Sequence, residues 1–251
     1  MSLFHLTGRR LKVFLRQPAF LLATLIQPVI WLFLFGNLFR RIVDLPGFGG
    51  GNYLTYLIPG IVVMTAVSSS MWSGMGVLEE IDRGTMNRFL ATPARRGAIL
   101  DAVVIETTLS VTFQAVVIVL LGLAAGAEYT WGGVLLLLAA AALLAVVFSA
   151  LSNIAGMLVR QRESIIGLNT LLLLPLTFLS SAFMVPGLMP AWIRAVARGN
   201  PVNWALEVCR PALAGAADWP RTLQYGGGLL LLAAALLVLS SLTFRSYQKS
   251  V

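Results

Sequence analysis

The chain has 251 residues, of which 58% are hydrophobic and 11% charged, and its mean hydropathy is +0.87. Soluble domains carry about 25% charged residues, so this composition excludes a soluble enzyme, a nucleic-acid-binding domain and a disordered chain. The net charge of +8 does not point to nucleic acid either, because the basic residues cluster between apolar runs, the layout of membrane flanks.

The N-terminal residues 1–16 come first. At about 100° per residue, His5, Arg9, Lys12 and Arg16 share one narrow arc of a helix. Leu3, Phe4, Leu6, Leu11, Val13, Phe14 and Leu15 cover the opposite side, with Arg10 as the exception. This pattern predicts an amphipathic interface helix whose basic face meets anionic lipid headgroups. A plain positive anchor is the simpler alternative.

Six uncharged runs follow, over 17–39, 45–78, 107–127, 129–159, 164–193 and 222–244. Each is long enough for a helical span of about 20 residues, and helices are the default because backbone in lipid must satisfy its own hydrogen bonds. Turn signals at Pro46-Gly47, Gly132-Gly133 and Pro186 to Pro190 trim the longer runs. The predicted spans are 17–39, 54–78, 105–127, 133–158, 164–185 and 222–244, with a loop over 79–97 and a segment over 186–221 on the opposite side. The first run is too long for a signal-peptide core and lacks an A-x-A-like cleavage site, so it reads as a retained span.

Arginine and lysine set the orientation. Both ends and the even-numbered gaps hold 12 of them, the other face 6. Both termini are therefore expected in the cytoplasm. The fold class expected is an all-α membrane protein of one domain, 1–251.

Few residues can carry chemistry. A P-loop needs G-K-[ST], but the two lysines, Lys12 and Lys249, follow Leu11 and Gln248. One histidine, His5, and one cysteine, Cys209, allow neither an intramolecular disulfide nor a zinc cluster. No catalytic residue, metal or cofactor is expected on this chain. Glu106, with Asp101 before it, is the one candidate intramembrane charge. As an ion site it would make the protein a proton-coupled secondary carrier. The blander reading puts it at the cytoplasmic interface, because 107–127 can span alone. Ser68-Ser69-Ser70, Asn169-Thr170 and Ser180-Ser181 lie within spans and either line a path or hydrogen-bond between helices.

The loop over 79–97 is longer than a connection needs. Gly84 can turn the chain, Thr85 can cap a short helix carrying Met86, Phe89 and Leu90, and Pro93 can end it. Such a helix would fit a partner's groove; the alternative is a solvated basic loop.

The same loop carries a resemblance. E-x-x-x-G-T-x-x-x-x-L-x-T-P, from Glu80 through Gly84, Thr85, Leu90, Thr92 and Pro93, resembles the cytoplasmic loop of type-2 ABC exporter permeases. Arg16 to Pro18, Gln27-Pro28 and Leu34-Phe35-Gly36 are similar to that family's first span, and Tyr56-Leu57-Ile58-Pro59-Gly60-Ile61 to the start of its second. Phe178 to Trp192, then Asn200-Pro201-Val202 and Arg210, resemble the end of its fifth span and the external segment. The S-A-F-x-x-P form is nearer the daunorubicin-resistance-type drug permeases than the polysaccharide exporters.

The resemblance implies two six-span subunits, either two copies of this permease or this one and a relative, docked on two separate ATPase subunits in a bacterial-type cytoplasmic membrane. ATP and Mg would be bound by those ATPases. A coupling helix within 79–97 would seat in the ATPase, through Glu79, Glu80, Gly84, Thr85, Arg88, Phe89, Leu90 and Pro93. Arg9, Lys12 and Arg16 would belong to the connecting helix beside it. Short external re-entrant helices after Val185 would cap the path, with Glu207 and Arg210, spaced i, i+3, able to pair on one of them. Ser68, Met71, Trp72, Met75, Asn169 and Ser180 would be path-lining candidates, with Met64 beside them. A lipophilic or amphipathic cargo, drug or lipid-like, suits such a path. Export of a polysaccharide or glycolipid by the same architecture is the alternative within the family.

Overall fold

In a computed structural model the described residues are 18–39, 52–82, 98–159, 161–183 and 185–249. Among them all regular structure is helical, with no strand. The elements are α1 (Pro18–Leu38), α2 (Tyr53–Met71), α3 (Ser73–Asp82), α4 (Ala98–Ala124), α5 (Trp131–Val159), α6 (Arg162–Phe178), a 3-10 turn (Pro186–Leu188), α7 (Ala191–Ala197), α8 (Pro201–Leu213) and α9 (Trp219–Lys249). Four stretches are long and apolar enough to cross a membrane: Tyr53–Asp82, Leu100–Ala124, Trp131–Val159 and Trp219–Ser246. α1 adds a shorter apolar stretch, Thr24–Leu38, and α6 has 17 residues. The expected interface helix, with Arg9, Lys12 and Arg16, lies outside the described residues, and so do Gly84, Thr85, Arg88, Phe89, Leu90 and Pro93.

Three boundaries differ from the sequence reading, each for a local reason. The second span is broken at Trp72 and resumes as α3, so Glu79 and Glu80 ride on a helix rather than in a loop. α4 starts at Ala98 instead of 105 because Leu100, Ala102 and Val103 are buried against Val77, Met157 and Phe244, and Asp101 in its first turn suits the positive end of the helix dipole. α6 stops at Phe178 rather than 185. There Ser180 Oγ donates to the Thr177 carbonyl and accepts from the Ala182 N–H, the local side-chain bonding that turns a chain out of a helix.

The ends of the other helices follow from ordinary capping. The Asn52 and Asn200 side chains accept from the N–H groups of Leu54 and Val202, at 3.0 and 2.9 Å, to start α2 and α8. Pro201 occupies the first turn of α8, where its missing N–H has no consequence. Gly126 and Gly215, at φ +90° and +76°, end α4 and α8 in the left-handed conformation that glycine tolerates.

α5 is the hub, touching α2, α3, α4, α8 and α9. Its buried Ala140, Ala141 and Ala145 let neighbouring backbones approach, the usual packing mode between helices in lipid. Meanwhile α1, α6 and α9 turn large apolar side chains outward, among them Ile30, Phe33, Leu171, Leu174, Leu231 and Leu242. A water-soluble surface does not carry this much apolar area; a bilayer is its natural solvent. At one end of the bundle Asn52 Nδ2 donates to the Gly126 carbonyl and Thr130 Oγ1 to the Ala212 carbonyl. At the other end Arg162 pairs with Asp82 at 3.3 Å, next to the Val77, Leu100, Met157 and Phe244 cluster.

Candidate functional site: a cavity and an arginine latch

A cavity of about 590 Å³ opens among α1, α2, α3 and α4, within the range of about 300–1,000 Å³ that takes a drug-sized molecule. α1 contributes Thr24, Gln27, Pro28 and Trp31. α2 contributes Ile61, Met64, Thr65, Ser68 and Ser69, and the break and α3 contribute Trp72, Ser73 and Gly76. From α4 come Val103, Glu106, Thr107, Ser110 and Gln114. These α4 positions recur every three or four residues, which places them on one helical face. That face is wired to α2: Ser69 Oγ donates to Gln114 Oε1 at 3.0 Å, and Gln114 Nε2 donates to Ser110 Oγ at 3.2 Å. Glu106 sits eight residues into α4, about 12 Å from its start at 1.5 Å per residue, and is half-buried.

The break at Trp72 forms the cavity's edge. Breaking a helix frees backbone groups that lipid cannot satisfy. Here Ser152 of α5 supplies the replacement: its Oγ accepts from the Gly74 N–H at 3.0 Å and donates to the Met71 carbonyl. Ser73 Oγ adds a bond to the Ser149 carbonyl at 3.2 Å. The contact is close because Gly74 and Gly156 lack side chains; a Cβ on Gly74 would lie 2.2 Å from the Ser152 carbonyl oxygen.

At the other end of the bundle the separate motif fragments meet. Arg210 Nη1 donates to Ser181 Oγ at 3.0 Å, and Nη2 to the carbonyls of Ala182 and Tyr56 at 2.9 and 3.4 Å. Its guanidinium carbon lies 3.8 Å from the centre of the Tyr56 ring, a cation–π contact in a desolvated place. Tyr56 in turn donates its hydroxyl to the Ser181 carbonyl at 3.0 Å. Asn203 Oδ1 accepts from the Ser181 N–H, and Asn200 Nδ2 donates to the carbonyls of Leu176 and Leu179. Gly60 lets α2 pass this turn, since a Cβ there would sit 2.2 Å from the Ala182 oxygen. Burial lowers the pKa of Arg210, partly offset by Tyr56, Cys209 and Glu207, but a guanidinium keeps its proton in a protein. Glu207 therefore acts as a nearby charge, and the hydrogen bonds of Arg210 go to Ser181, Ala182 and Tyr56 instead of the i, i+3 pair.

Phe183, the last residue of the turn, packs on Trp31 and Phe35 of α1 at ring distances of 5.9 and 5.4 Å. Trp31 also lines the cavity, so one side chain bridges the latch region and the cavity.

Of the path-lining candidates, Ser68 and Trp72 are on the cavity wall with Met64. Met71 is buried in the core, Met75 is not among the lining residues, and Asn169 and Ser180 are buried elsewhere on α6 and its terminal turn. Gln27, Ser110 and Gln114 were missed. Their signal in the sequence was only that of amides and a hydroxyl in otherwise apolar runs.

Residues 1–213 match the family described as ABC-2 type transporter. The chain is 28% identical to the daunorubicin resistance ABC transporter permease protein DrrB1 of Streptomyces coeruleorubidus, over 98% of this chain and 86% of that one. It is 29% identical to the putative transport permease ycf38 of Cyanophora paradoxa, over 83% and 73%. Against the inner membrane transport permease YadH of Escherichia coli the identity is 25%, over 88% of each. A helical bundle with apolar outer faces, an internal cavity and a family match over 1–213 identify one class of protein: this chain belongs to the ABC-2 type transporter family.

Proposed function

We propose that this chain is the membrane subunit of an ATP-driven exporter, forming a path for a lipophilic or amphipathic compound while a separate ATPase hydrolyses ATP with Mg. The observation that carries this reading is a drug-sized cavity of mixed apolar and polar lining inside an apolar helical bundle, in a chain whose residues 1–213 match the ABC-2 type transporter family. The relative from Streptomyces is named for daunorubicin resistance, which supports a drug-like cargo. Two permease subunits and two ATPase subunits make the working unit, in a bacterial-type cytoplasmic membrane. Six spans with both termini in the cytoplasm are supported by the six apolar runs and the 12 to 6 basic asymmetry.

Coupling runs through 79–97. α3 and α4 lead into and out of this segment, and Val77 and Leu100 tie them into one apolar cluster with Phe244. A push on the segment is therefore delivered to a rigid pair of helices, one of which bears the Trp72 break and both of which line the cavity. Phe89 and Leu90 fill the ATPase cleft, Gly84 makes the turn and Thr85 caps the helix. Such a bundle, biased between two arrangements by the ATPase, alternates access to the path.

The test is pull-down of the ATPase beside an export assay. Phe89→Asp puts an unpaired charge in an apolar contact and should abolish ATPase binding or uncouple hydrolysis from export. Thr85→Ala, a lost cap of about 1 kcal/mol, should weaken coupling modestly, and Arg95→Ala, at the end of the segment nearer the lipid headgroups in this reading, less. Wild-type binding and export by Phe89→Asp would reject this coupling route.

A further inference from the structure

α7 stands apart from the bundle. None of the described helices packs along it to any extent, and at about 100° per residue its side chains divide into three faces. Ile193 and Ala197 turn inward, the first half-buried and the second buried. Trp192 and Val196, one turn apart, form an apolar face that is 62% and 48% exposed. Arg194 and the capping Arg198, also one turn apart and both exposed, fall on the opposite side. Arg194 donates one N–H to the Met189 carbonyl at 3.3 Å. The ion pairs among the described residues, Arg162–Asp82 and Arg221–Asp218, use neither arginine.

The level of α7 is fixed by the chain around it. Asn200 Nδ2 donates to the carbonyls of Leu176 and Leu179, and Trp204 Nε1 donates to the Arg198 carbonyl at 2.7 Å, so α7 sits at the latch end of the bundle. Trp131 and Trp219, 81% and 61% exposed, begin α5 and α9 at that same end. Exposed tryptophans gather where hydrocarbon meets headgroups. A helix with an apolar face, a basic face and no protein along it belongs in the same layer.

We infer that α7 lies in the plane of the membrane interface, with Trp192 and Val196 among the acyl chains and Arg194 and Arg198 clamping the phosphates of lipid headgroups. Guanidinium forks match phosphate oxygens, and with no carboxylate to offset the two charges an anionic phospholipid is the preferred partner. α7 leads through Asn200 into α8, which carries Arg210, so the leaflet sets the height of the segment that closes the latch. This inference needs only a bundle in a bilayer. It depends neither on the cargo nor on which side of the membrane the latch end faces.

The experiment uses the full-length permease with its ATPase in nanodiscs of phosphatidylcholine and phosphatidylglycerol. Cys209 is fully buried, so nitroxide labels can be placed at Val196→Cys, on the apolar face, and at Ala191→Cys, beside the arginines. Both positions are exposed, and both variants keep Trp192, Arg194 and Arg198. Oxygen concentrates in hydrocarbon and a nickel chelate in water. The oxygen-to-nickel accessibility ratio should be severalfold higher at Val196→Cys than at Ala191→Cys. Water-like ratios at both positions overturn the inference. Protection of Val196→Cys from both reagents overturns it too, because protein would then cover that face. The clamp has its own readout, the excess of spin-labelled phosphatidylglycerol over phosphatidylcholine in the motionally restricted lipid shell. Arg194→Gln with Arg198→Gln should reduce this excess by at least half. Arg221→Gln, whose charge already faces Asp218, should change it little. An unchanged excess in the double variant, or an equal loss in Arg221→Gln, rejects the phosphate clamp. Should the double variant fail to assemble, the depth measurement decides alone, since it leaves both arginines in place.

Discussion

Arg210 places a permanent charge in a half-buried pocket, and its position is explained by what surrounds it. Two carbonyls, a hydroxyl and a tyrosine face take the place of water. Lysine cannot reproduce this forked geometry, so Arg210→Lys should lose export while still reaching the membrane. Gly60→Ala attacks the same contact from α2. A Cβ 2.2 Å from the Ala182 oxygen forces apart the backbones of α2 and the turn, and overpacking of this kind costs about 1–3 kcal/mol. The variant should unfold at lower temperature and export severalfold more slowly, yet bind the ATPase normally, as read by thermal unfolding, transport and pull-down. The sequence made each fragment of this latch visible: Tyr56 to Ile61, Ser180 to Phe183, Asn200-Pro201-Val202 and Arg210. Their meeting was not visible, because Tyr56 and Arg210 are 154 positions apart and no local pattern encodes such a contact. Spacing alone suggested Glu207 as the partner of Arg210, since only neighbours on the same helix can be paired from spacing.

Among the elements, the α2–α3 break was the least legible. A Ser73-Gly74 pair stands at the break, one of the usual markers of a kink, but serine and glycine recur along 68–76 and do not single it out. The cause lies on α5, where Ser152 bonds both to the Gly74 N–H and to the Met71 carbonyl. Interhelical side-chain bonds in membranes average only about 0.6 kcal/mol. Ser152 should exceed that, because its loss leaves two backbone groups without a partner, at roughly 1–3 kcal/mol for each. Ser152→Ala should therefore lower the unfolding temperature clearly and weaken export. Ser149→Ala is the control from the same face of α5: its Oγ is buried with no partner among the described residues, so its removal should be close to neutral. Equal effects of the two variants would show that the clasp contributes nothing. The long helices were easier to read. α5 and α9 stand within a few residues of their predicted limits, because a long apolar run admits little else in lipid. The start of α4 lies before the predicted 105, since Asp101 and Glu106 bound the apolar run in the sequence while the helix continues through both to Ala98.

For the molecule as a whole, topology follows from which ends meet. Thr130, at the start of α5, bonds to Ala212 at the end of α8, so the turns before α5 and α9 lie at the same end of the bundle. Between the far end of α5 and the start of α9 the chain must therefore return an odd number of times. α6 starts at Arg162, beside Asp82, and its terminal turn meets Tyr56 near the start of α2. At 17 residues it covers about 25 Å, nearly the hydrocarbon thickness of about 30 Å. Such a course makes α6 a crossing helix in the proposed six-span arrangement, in which the basic excess predicts a cytoplasmic Arg162 end. Single cysteines can test it in the natural background. Cys209 is fully buried, and burial pushes its thiol up to about 12, so the reactive thiolate is scarce and the unsubstituted protein should take up no maleimide until denatured. A membrane-impermeant maleimide should label intact cells at Ala216→Cys and Gly187→Cys, both exposed positions. At the exposed Gln161→Cys it should label only after the membrane is opened. Labelling of Gly187→Cys and Gln161→Cys from the same side would mean that α6 does not cross, and the six-span arrangement would fail.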